Sequence, residues 1–237
     1  MVLRHALLTG GSGLLGGYLQ DLQGAYEVVF TAPSSSELNV NSRIECAHQV
    51  SVFSGDTVVH CAAIAKPAMV QEDPSKAIRT NVCGTINMLE ACRDAGKRFV
   101  YISTDHVFNG VGPHKHNGPM NPLTHYAKTK AAADLLVQTY ANSLIIRTSF
   151  WGKEFPYEAA FTDQFTTKGY IDEIAPQILC LIYGGETGVA HVGTPRLKTI
   201  QKAAQRKHDV KGITLKESKA LAPVDASLVL GHWGHNA

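Results

Sequence analysis

The sequence predicts a doubly wound α/β fold: a parallel, Rossmann-like sheet with helices on both faces and a small C-terminal region. Three observations predict it. Short β-type runs alternate with helical stretches. Most of those runs are nearly continuous in Val, Ile, Leu and aromatic residues, which is how strands buried on both faces read. A glycine-rich turn also stands directly between the first strand and the first helix.

The predicted strands are His5 to Thr9, Tyr26 to Thr31, Thr57 to Ala62, Arg98 to Ser103, Leu144 to Thr148 and Gly188 to Val192. Helical patterns are plainest at Lys76 to Ala95 and Pro122 to Ala141, and the repeated strand–helix–strand order argues for parallel pairing. Asn109 to Pro122, rich in Gly, Pro, Asn and His, reads as a loop. After Gly152 the pattern weakens, and residues 153–187 and 194–237 read as a small appended region of helices and loops. The expected division is a dinucleotide-binding domain over residues 1–150. Residues 151–237 would form a shortened substrate-binding region interleaved with the last strands.

Composition narrows the classes. The chain has 237 residues, 44% of them hydrophobic and 18% charged, with 22 Lys plus Arg against 20 Asp plus Glu. A net charge of +2 is too balanced to argue for nucleic acid or an anionic membrane as partner. No apolar stretch approaches the roughly 18 residues of a membrane span, and glycines 10, 11 and 13 interrupt any signal-peptide core. Five cysteines without a CxxC pair read as reduced thiols of a cytoplasmic protein, with neither a disulfide framework nor a zinc site.

Thr9-Gly10-Gly11-Ser12-Gly13-Leu14-Leu15-Gly16 is a G-x-x-G-x-x-G turn opening a helix. Gly10 permits the tight turn, Gly13 lets the backbone approach a pyrophosphate, and Gly16 lets helix and strand pack closely. The helix N-terminus would face the anion. Cofactor choice is read from the end of the second strand. Phe30-Thr31-Ala32-Pro33-Ser34-Ser35-Ser36 holds no acid to bind ribose hydroxyls, and Glu37 lies past the strand. The serines can accept a 2′-phosphate, so NADP (as NADPH) is expected, with NAD as the alternative.

The fourth strand runs into Ser103-Thr104-Asp105, and Tyr126 and Lys130 stand four apart at the start of a helix, hence on one face. A free tyrosine titrates near pH 10 and is a poor acid or base at neutrality. A neighbouring ammonium lowers that value. Thr104, at the C-terminal end of its strand, would meet Tyr126 where doubly wound folds bind ligands. The constellation provides a proton donor, its tuner and a hydroxyl to orient a carbonyl.

With these residues in place the sequence resembles the extended short-chain dehydrogenase/reductase superfamily, and within it the dTDP-4-dehydrorhamnose reductase family. The resemblance covers roughly residues 2–229. It rests on the glycine turn, Glu37-Leu38-Asn39-Val40, Val59-His60-Cys61-Ala62-Ala63-Ile64, Asn81-Val82-Cys83-Gly84-Thr85, Ile102 to Gly110, Asn121-Pro122-Leu123, Tyr126 with Lys130, Arg147-Thr148-Ser149 and Thr162 to Phe165. It implies reduction of the C4 ketone of a nucleotide-activated 6-deoxy-4-keto-hexose. It also implies Asn39 and Val40 beside the adenine, and Ala62, Ala63 and Ile64 along the cofactor. Leu14, Leu15 and Ser103 complete the expected cofactor set, with Gly10, Gly13, Gly16, Tyr126 and Lys130. Two places depart from the family pattern. Asn39 stands where relatives often carry Asp. Only nine residues, Lys153 to Phe161, separate Gly152 from Thr162 where the family usually fits a further helix, in a stretch that helps form the sugar-nucleotide pocket.

Smaller features are read conservatively. His106 stands where related dehydratases carry a Glu, which argues against dehydration, and it is taken as a packing or pocket-lining residue. His114 and His116 lack a third ligand, so a solvated loop is expected rather than a metal site. Asn81 is taken as a structural or water-network residue. Arg147 is open between a diphosphate and a core carboxylate. Three functions fit the whole: an NADP-dependent nucleotide-sugar reductase, first; a nucleotide-sugar epimerase using the same Tyr and Lys; or a non-catalytic cofactor-binding subunit, as in methionine adenosyltransferase. The expected partner is the nucleotide-sugar substrate, with a homodimer as the assembly considered.

Overall fold

The computed structural model describes residues 4–234, so the first and last three residues of the two expected domains lie outside the described residues. The chain runs β1 (Arg4–Thr9), α1 (Leu14–Leu22), β2 (Val28–Thr31), α2 (Arg43–Val52), β3 (Thr57–His60), α3 (Pro67–Glu72), α4 (Pro74–Ile78), α5 (Gly84–Asp94), β4 (Arg98–Thr104), α6 (His125–Val137), β5 (Ser143–Thr148) and α7 (Ile171–Gly184). Two more strands, Gly188–His191 and Gly231–Trp233, extend the sheet beyond β5. All pairs are parallel except the last, in which Gly231–Trp233 runs antiparallel at the edge.

β1 lies between β2 and β3. The winding therefore reverses beside β1, and the crevice at the C-terminal ends of β1 and β3 is the switch point where such sheets bind ligands. The pleat sends alternate side chains to opposite faces. Ala6, Leu8, Val59, Val100, Ile102, Leu144 and Ile146 pack against Leu15 and Leu19 of α1 and Ile174, Ile178 and Ile182 of α7. Leu7, Val58, Phe99, Tyr101 and Ile145 meet α2, α5 and α6 through Val50, Met88, Cys92, Ala133 and Val137. Every residue of β4 and β5 is buried, which explains the apolar runs Phe99 to Ile102 and Leu144 to Ile146 at their centres.

The structure corrects several sequence-based boundaries. The second strand starts at Val28, because Gln23–Tyr26 forms a 3₁₀ turn that ends on Glu27 at φ 54°. The expected helix over 76–95 is interrupted by a π turn, Arg79–Cys83. The helix expected over 122–141 begins only at His125, where the Thr124 hydroxyl accepts from the Ala127 amide at 3.1 Å. The larger correction is α7, which is not part of an appended region. Ile171, Ile174, Ala175, Ile178, Leu179 and Ile182 are buried in the main core, and their i, i+3, i+4 spacing is that of an amphipathic helix. Short strand pairs, 150–151 with 169–170, 159–161 with 211–213 and 165–166 with 197–198, build the remaining C-terminal lobe. Trp151, Phe155, Ala160, Tyr170 and Ala203 form its small core. No helix among the described residues is long and apolar enough to cross a membrane.

Candidate active site

The glycine turn is shaped by close backbone approach. Gly10 has φ +73°, and a Cβ there would lie 2.6 Å from the Ala62 nitrogen. A Cβ on Gly16 would lie 2.3 Å from the Gly10 carbonyl oxygen, and the Gly13 amide bonds that same oxygen at 3.0 Å. Only glycine fits at positions 10 and 16. Gly13 caps α1 without a side-chain hydrogen bond, so the first-turn N–H groups are left for an external acceptor. Leu14 is exposed at the mouth, whereas Leu15 is in the core. The expected cofactor contact of Leu15 is therefore not one its side chain can make.

The chain leaving β2 passes beside this turn: a Cβ on Gly11 would sit 3.0 Å from the Ala32 Cβ. Glu37 does not reach back toward the strand. Its carboxylate accepts the amide and the hydroxyl of Ser34, both at 2.8 Å, which holds its pKa below the usual carboxylate range. Asn39 is exposed, its amide bound to Glu45 at 2.9 Å and its side-chain oxygen to the Asn41 amide at 3.0 Å. Val40 is buried against the α5 start, where a Cβ on Gly84 would meet it at 2.9 Å.

Beyond β3, Cys61, Ala62, Ala63 and Ile64 are half-buried along the crevice. Asn81, in the π turn, fixes this segment. Its side-chain oxygen accepts the Ile64 amide at 2.7 Å, and its nitrogen donates to the Ile64 carbonyl at 3.1 Å and the Thr129 hydroxyl at 3.0 Å. Thr129 in turn donates to the Tyr126 carbonyl at 2.8 Å. One amide thus ties the β3 exit to the helix carrying Tyr126. π turns often occur at functional sites, and sequence reading could see the Asn but not the turn.

At the β4 exit Thr104 and Ser103 diverge. The Thr104 hydroxyl donates to an Asp105 carboxylate oxygen at 3.2 Å, and both residues act on the Tyr126 phenol, Asp105 raising its pKa and Thr104 lowering it. Ser103 turns to the opposite face and donates to Asp134 at 2.6 Å. Its hydroxyl is therefore committed to a buried carboxylate of α6, which leaves its backbone for the expected cofactor contact. Asp134 also takes Arg147, at 2.9 and 3.0 Å, so the core-carboxylate reading of Arg147 holds and the diphosphate reading does not.

Lys130 is buried, its ammonium donating to the Ile102 carbonyl at 2.7 Å and lying 4.1 Å from the Tyr101 ring centroid. Burial pulls its pKa down to about 7, opposed by the Asp134 carboxylate. The phenol of Tyr126 is raised, not lowered, from its ordinary value. Burial and the Asp105 carboxylate drive it up, and the Thr104 hydroxyl opposes them. The Lys130 amine, on which the expected lowering rests, is turned to the Ile102 carbonyl. Sequence reading gave Asp105 no role, although it is buried, accepts the Ser149 hydroxyl and draws on the half-buried Lys168. His106 is half-exposed, 3.7 Å from Asp105. His114 and His116 go to different partners, stacking on Phe108 at 5.0 Å and on Trp233 at 4.3 Å.

A cavity of about 440 Å³ opens beside Tyr126, lined by Val70, Gln71, Leu123, Lys128 and Leu221 among others. A larger one of about 650 Å³, around Arg4, His5, Asp56 and Tyr183, lies at the opposite edge of the sheet. The switch-point rule favours the former as the ligand site.

This parallel sheet, glycine turn and Thr–Tyr–Lys grouping define an extended short-chain dehydrogenase/reductase. A family model described as the RmlD substrate binding domain matches residues 4–170, and the chain belongs to that family, the dTDP-4-dehydrorhamnose reductase family. It is 26% identical over 193 residues to a dTDP-4-dehydrorhamnose reductase of Mycolicibacterium smegmatis, covering 78% of this chain and 58% of that protein. It is 30% identical over 142 residues to methionine adenosyltransferase 2 subunit beta of Xenopus tropicalis, covering 56% of this chain and 42% of that one. The chain thus spans about half the length of these relatives. Among solved structures, a Bacillus anthracis dTDP-4-dehydrorhamnose reductase in complex with NADP superimposes with a TM-score of 0.85 at 24% identity, over 98% of this chain and 92% of that one.

Proposed function

We propose that the protein is an NADP-dependent reductase of a nucleotide-activated 4-keto-6-deoxy sugar. The observation that carries this reading is the convergence of Thr104, at the C-terminal end of β4, with Tyr126 and the buried Lys130 of α6, whose ammonium reaches the β4 carbonyl of Ile102 at 2.7 Å. The glycine turn fits a dinucleotide: positions 10 and 16 admit no Cβ, and the α1 N-terminus has no side-chain cap. Gly10, Gly13 and Gly16 would hold the pyrophosphate, with Asn39 and Val40 by the adenine and Ala62, Ala63 and Ile64 along the nicotinamide half. When bound, the reduced cofactor supplies the hydride.

The chain's own residues handle the oxygen. Thr104 orients the carbonyl, and Tyr126 gives its proton to the developing alkoxide. A phenol raised by burial and Asp105 is protonated at neutral pH, as that acid must be. Lys130 would hold the nicotinamide ribose, and its positive charge would favour the phenolate left behind. Residues 1–150 would carry the cofactor, and the lobe within 151–237 would close on the sugar nucleotide. Unpaired thiols at all five cysteines fit a reducing, cytoplasmic setting.

A second reading is a cofactor-binding regulatory subunit without turnover. It is favoured by the methionine adenosyltransferase subunit likeness and by the nine-residue stretch between Gly152 and Thr162. The test mixes the full chain with NADPH and a dTDP-4-keto-6-deoxyhexose and follows the absorbance of NADPH. Substrate-dependent oxidation supports the reductase. NADPH binding without oxidation supports the regulatory subunit.

A further inference from the structure

Lys168 stands where the C-terminal lobe meets the main sheet, and neither the glycine turn nor the Tyr–Lys pair uses it. The Gly169 amide donates to the Ser149 carbonyl at 3.3 Å, and Gly169 pairs with Phe150, so Lys168 is held beside the chain leaving β5. The Ser149 hydroxyl in turn donates to Asp105. The Lys168 ammonium is half-buried and lies 4.7 Å from the centroid of the Trp151 ring. Two guanidiniums packed on rings of the lobe each hold a carboxylate as well. Arg196, 3.8 Å from the Phe165 centroid, bonds Asp225 at 2.7 Å, and Arg206, 4.7 Å from that of Tyr170, bonds Asp172 at 2.9 Å. Among the described residues the Lys168 ammonium has neither an ion pair nor a hydrogen bond; its polar bonds, to Thr166 and Thr194, are those of its backbone. Burial pulls its pKa down, and the Asp105 charge acts against that fall. An ammonium taken from water and given no acceptor is left with N–H donors for an external anion.

We propose that Lys168 binds the diphosphate of the sugar-nucleotide substrate. The proposal rests on the reductase reading above and adds a residue to its substrate site. Position selects the ligand. β3 and β4 separate β1 from β5, so the exits of β1 and β5 stand about 14 Å apart at the usual strand spacing. The cofactor pyrophosphate belongs at the β1 end, on the glycine turn, and the reacting oxygen at the β4 end, by Tyr126. An anion at Lys168 therefore lies beyond the reacting oxygen, away from the cofactor pyrophosphate. In a 4-keto hexose the carbonyl and the anomeric oxygen leave opposite sides of the ring. A sugar with its carbonyl at Tyr126 thus projects its diphosphate a ring's width away, and on the lobe side that diphosphate meets Lys168. The short stretch 153–161 holds one other cation, Lys153, and its ammonium packs on the Tyr18 ring of α1 at 5.3 Å. A phosphoryl oxygen gives Lys168 the charge-assisted bond that the chain itself does not supply.

The test is calorimetric titration of the full chain, saturated with NADP⁺, with dTDP and with thymidine, for the wild type, Lys168→Met and Lys168→Arg. NADPH titration of the same variants is the control. Methionine keeps an unbranched stem on Trp151 and removes the charge. Lys168→Met should weaken dTDP binding about tenfold and leave the affinities for thymidine and NADPH unchanged. Lys168→Arg should keep most of the wild-type affinity for dTDP. Equal dTDP affinity in Lys168→Met, an equal loss for thymidine, or a loss of NADPH affinity overturns the proposal and leaves the reductase reading standing. A wild-type chain that binds NADPH but not dTDP overturns both the proposal and the nucleotide-sugar part of that reading.

Discussion

Arg147 and Asp134 form a two-point ion pair under the sheet, Nη2 to Oδ1 at 2.9 Å and Nε to Oδ2 at 3.0 Å, with both side chains at most 2% exposed. Ser103 also donates to Asp134 Oδ2 and Arg147 Nη1 to the His116 carbonyl, at 2.6 Å each, and Gln138 donates to Asp134 Oδ1 at 2.9 Å. Removing one partner strands a charge in the core, which typically costs about 3–5 kcal/mol. Asp134→Leu alone should destabilise the fold by that order in urea unfolding. Combining it with Arg147→Met should recover most of the loss. A double variant no more stable than the single one would show that the pair is not the source of the effect.

At the glycine turn, Gly13→Val should lower dinucleotide affinity by at least tenfold, while Gly13→Ala should cost much less. A single Cβ at this position lies 3.2 Å from the Gly10 carbonyl, a contact that a small shift relieves. The two γ-methyls of valine instead fill the approach to the α1 N–H groups. Calorimetry on the folded variants decides it, and equal affinities for alanine and valine would place the pyrophosphate elsewhere.

Acid should destabilise the protein through two histidines. Burial pushes His60 down to about 3, with the Lys130 charge contributing, and burial with Arg147 does the same to His191. Between the unfolded value near 6.5 and about 3, the unfolded chain binds protons that the folded chain refuses. Stability is therefore full above 6.5 and falls as pH drops, by up to about 1.4 kcal/mol per pH unit for each histidine. His60→Gln should make denaturation midpoints less dependent on pH between 6 and 4, after the usual loss from altered bonds to Thr9 and Thr85. A slope identical to the wild type would mean that His60 is protonated in the fold.

What sequence could and could not show follows from which interactions are local. Thr9 to Gly16 was readable because turn, strand and helix are contiguous, and Tyr126 with Lys130 because helix spacing fixes their shared face. Asp134 follows Lys130 at the same four-residue interval, a signal available for a further member of that face. The Ser103 hydroxyl points opposite Thr104, toward Asp134, as period-two alternation requires. Asp105 accepts the Ser149 hydroxyl, a long-range contact with no periodic trace. The amine of Lys130 was expected near Tyr126 from spacing alone, but its direction depends on the Ile102 carbonyl.

The central claim is that Tyr126 delivers the proton. The most direct measurement compares Tyr126→Phe with the wild type in NADPH titration and in turnover of a dTDP-4-keto-6-deoxyhexose. The substitution removes the proposed proton donor and leaves the ring. The account predicts near-normal NADPH affinity with kcat down by about 10²–10⁴-fold, the usual range for general acid catalysis. A variant that turns over near the wild-type rate would contradict it.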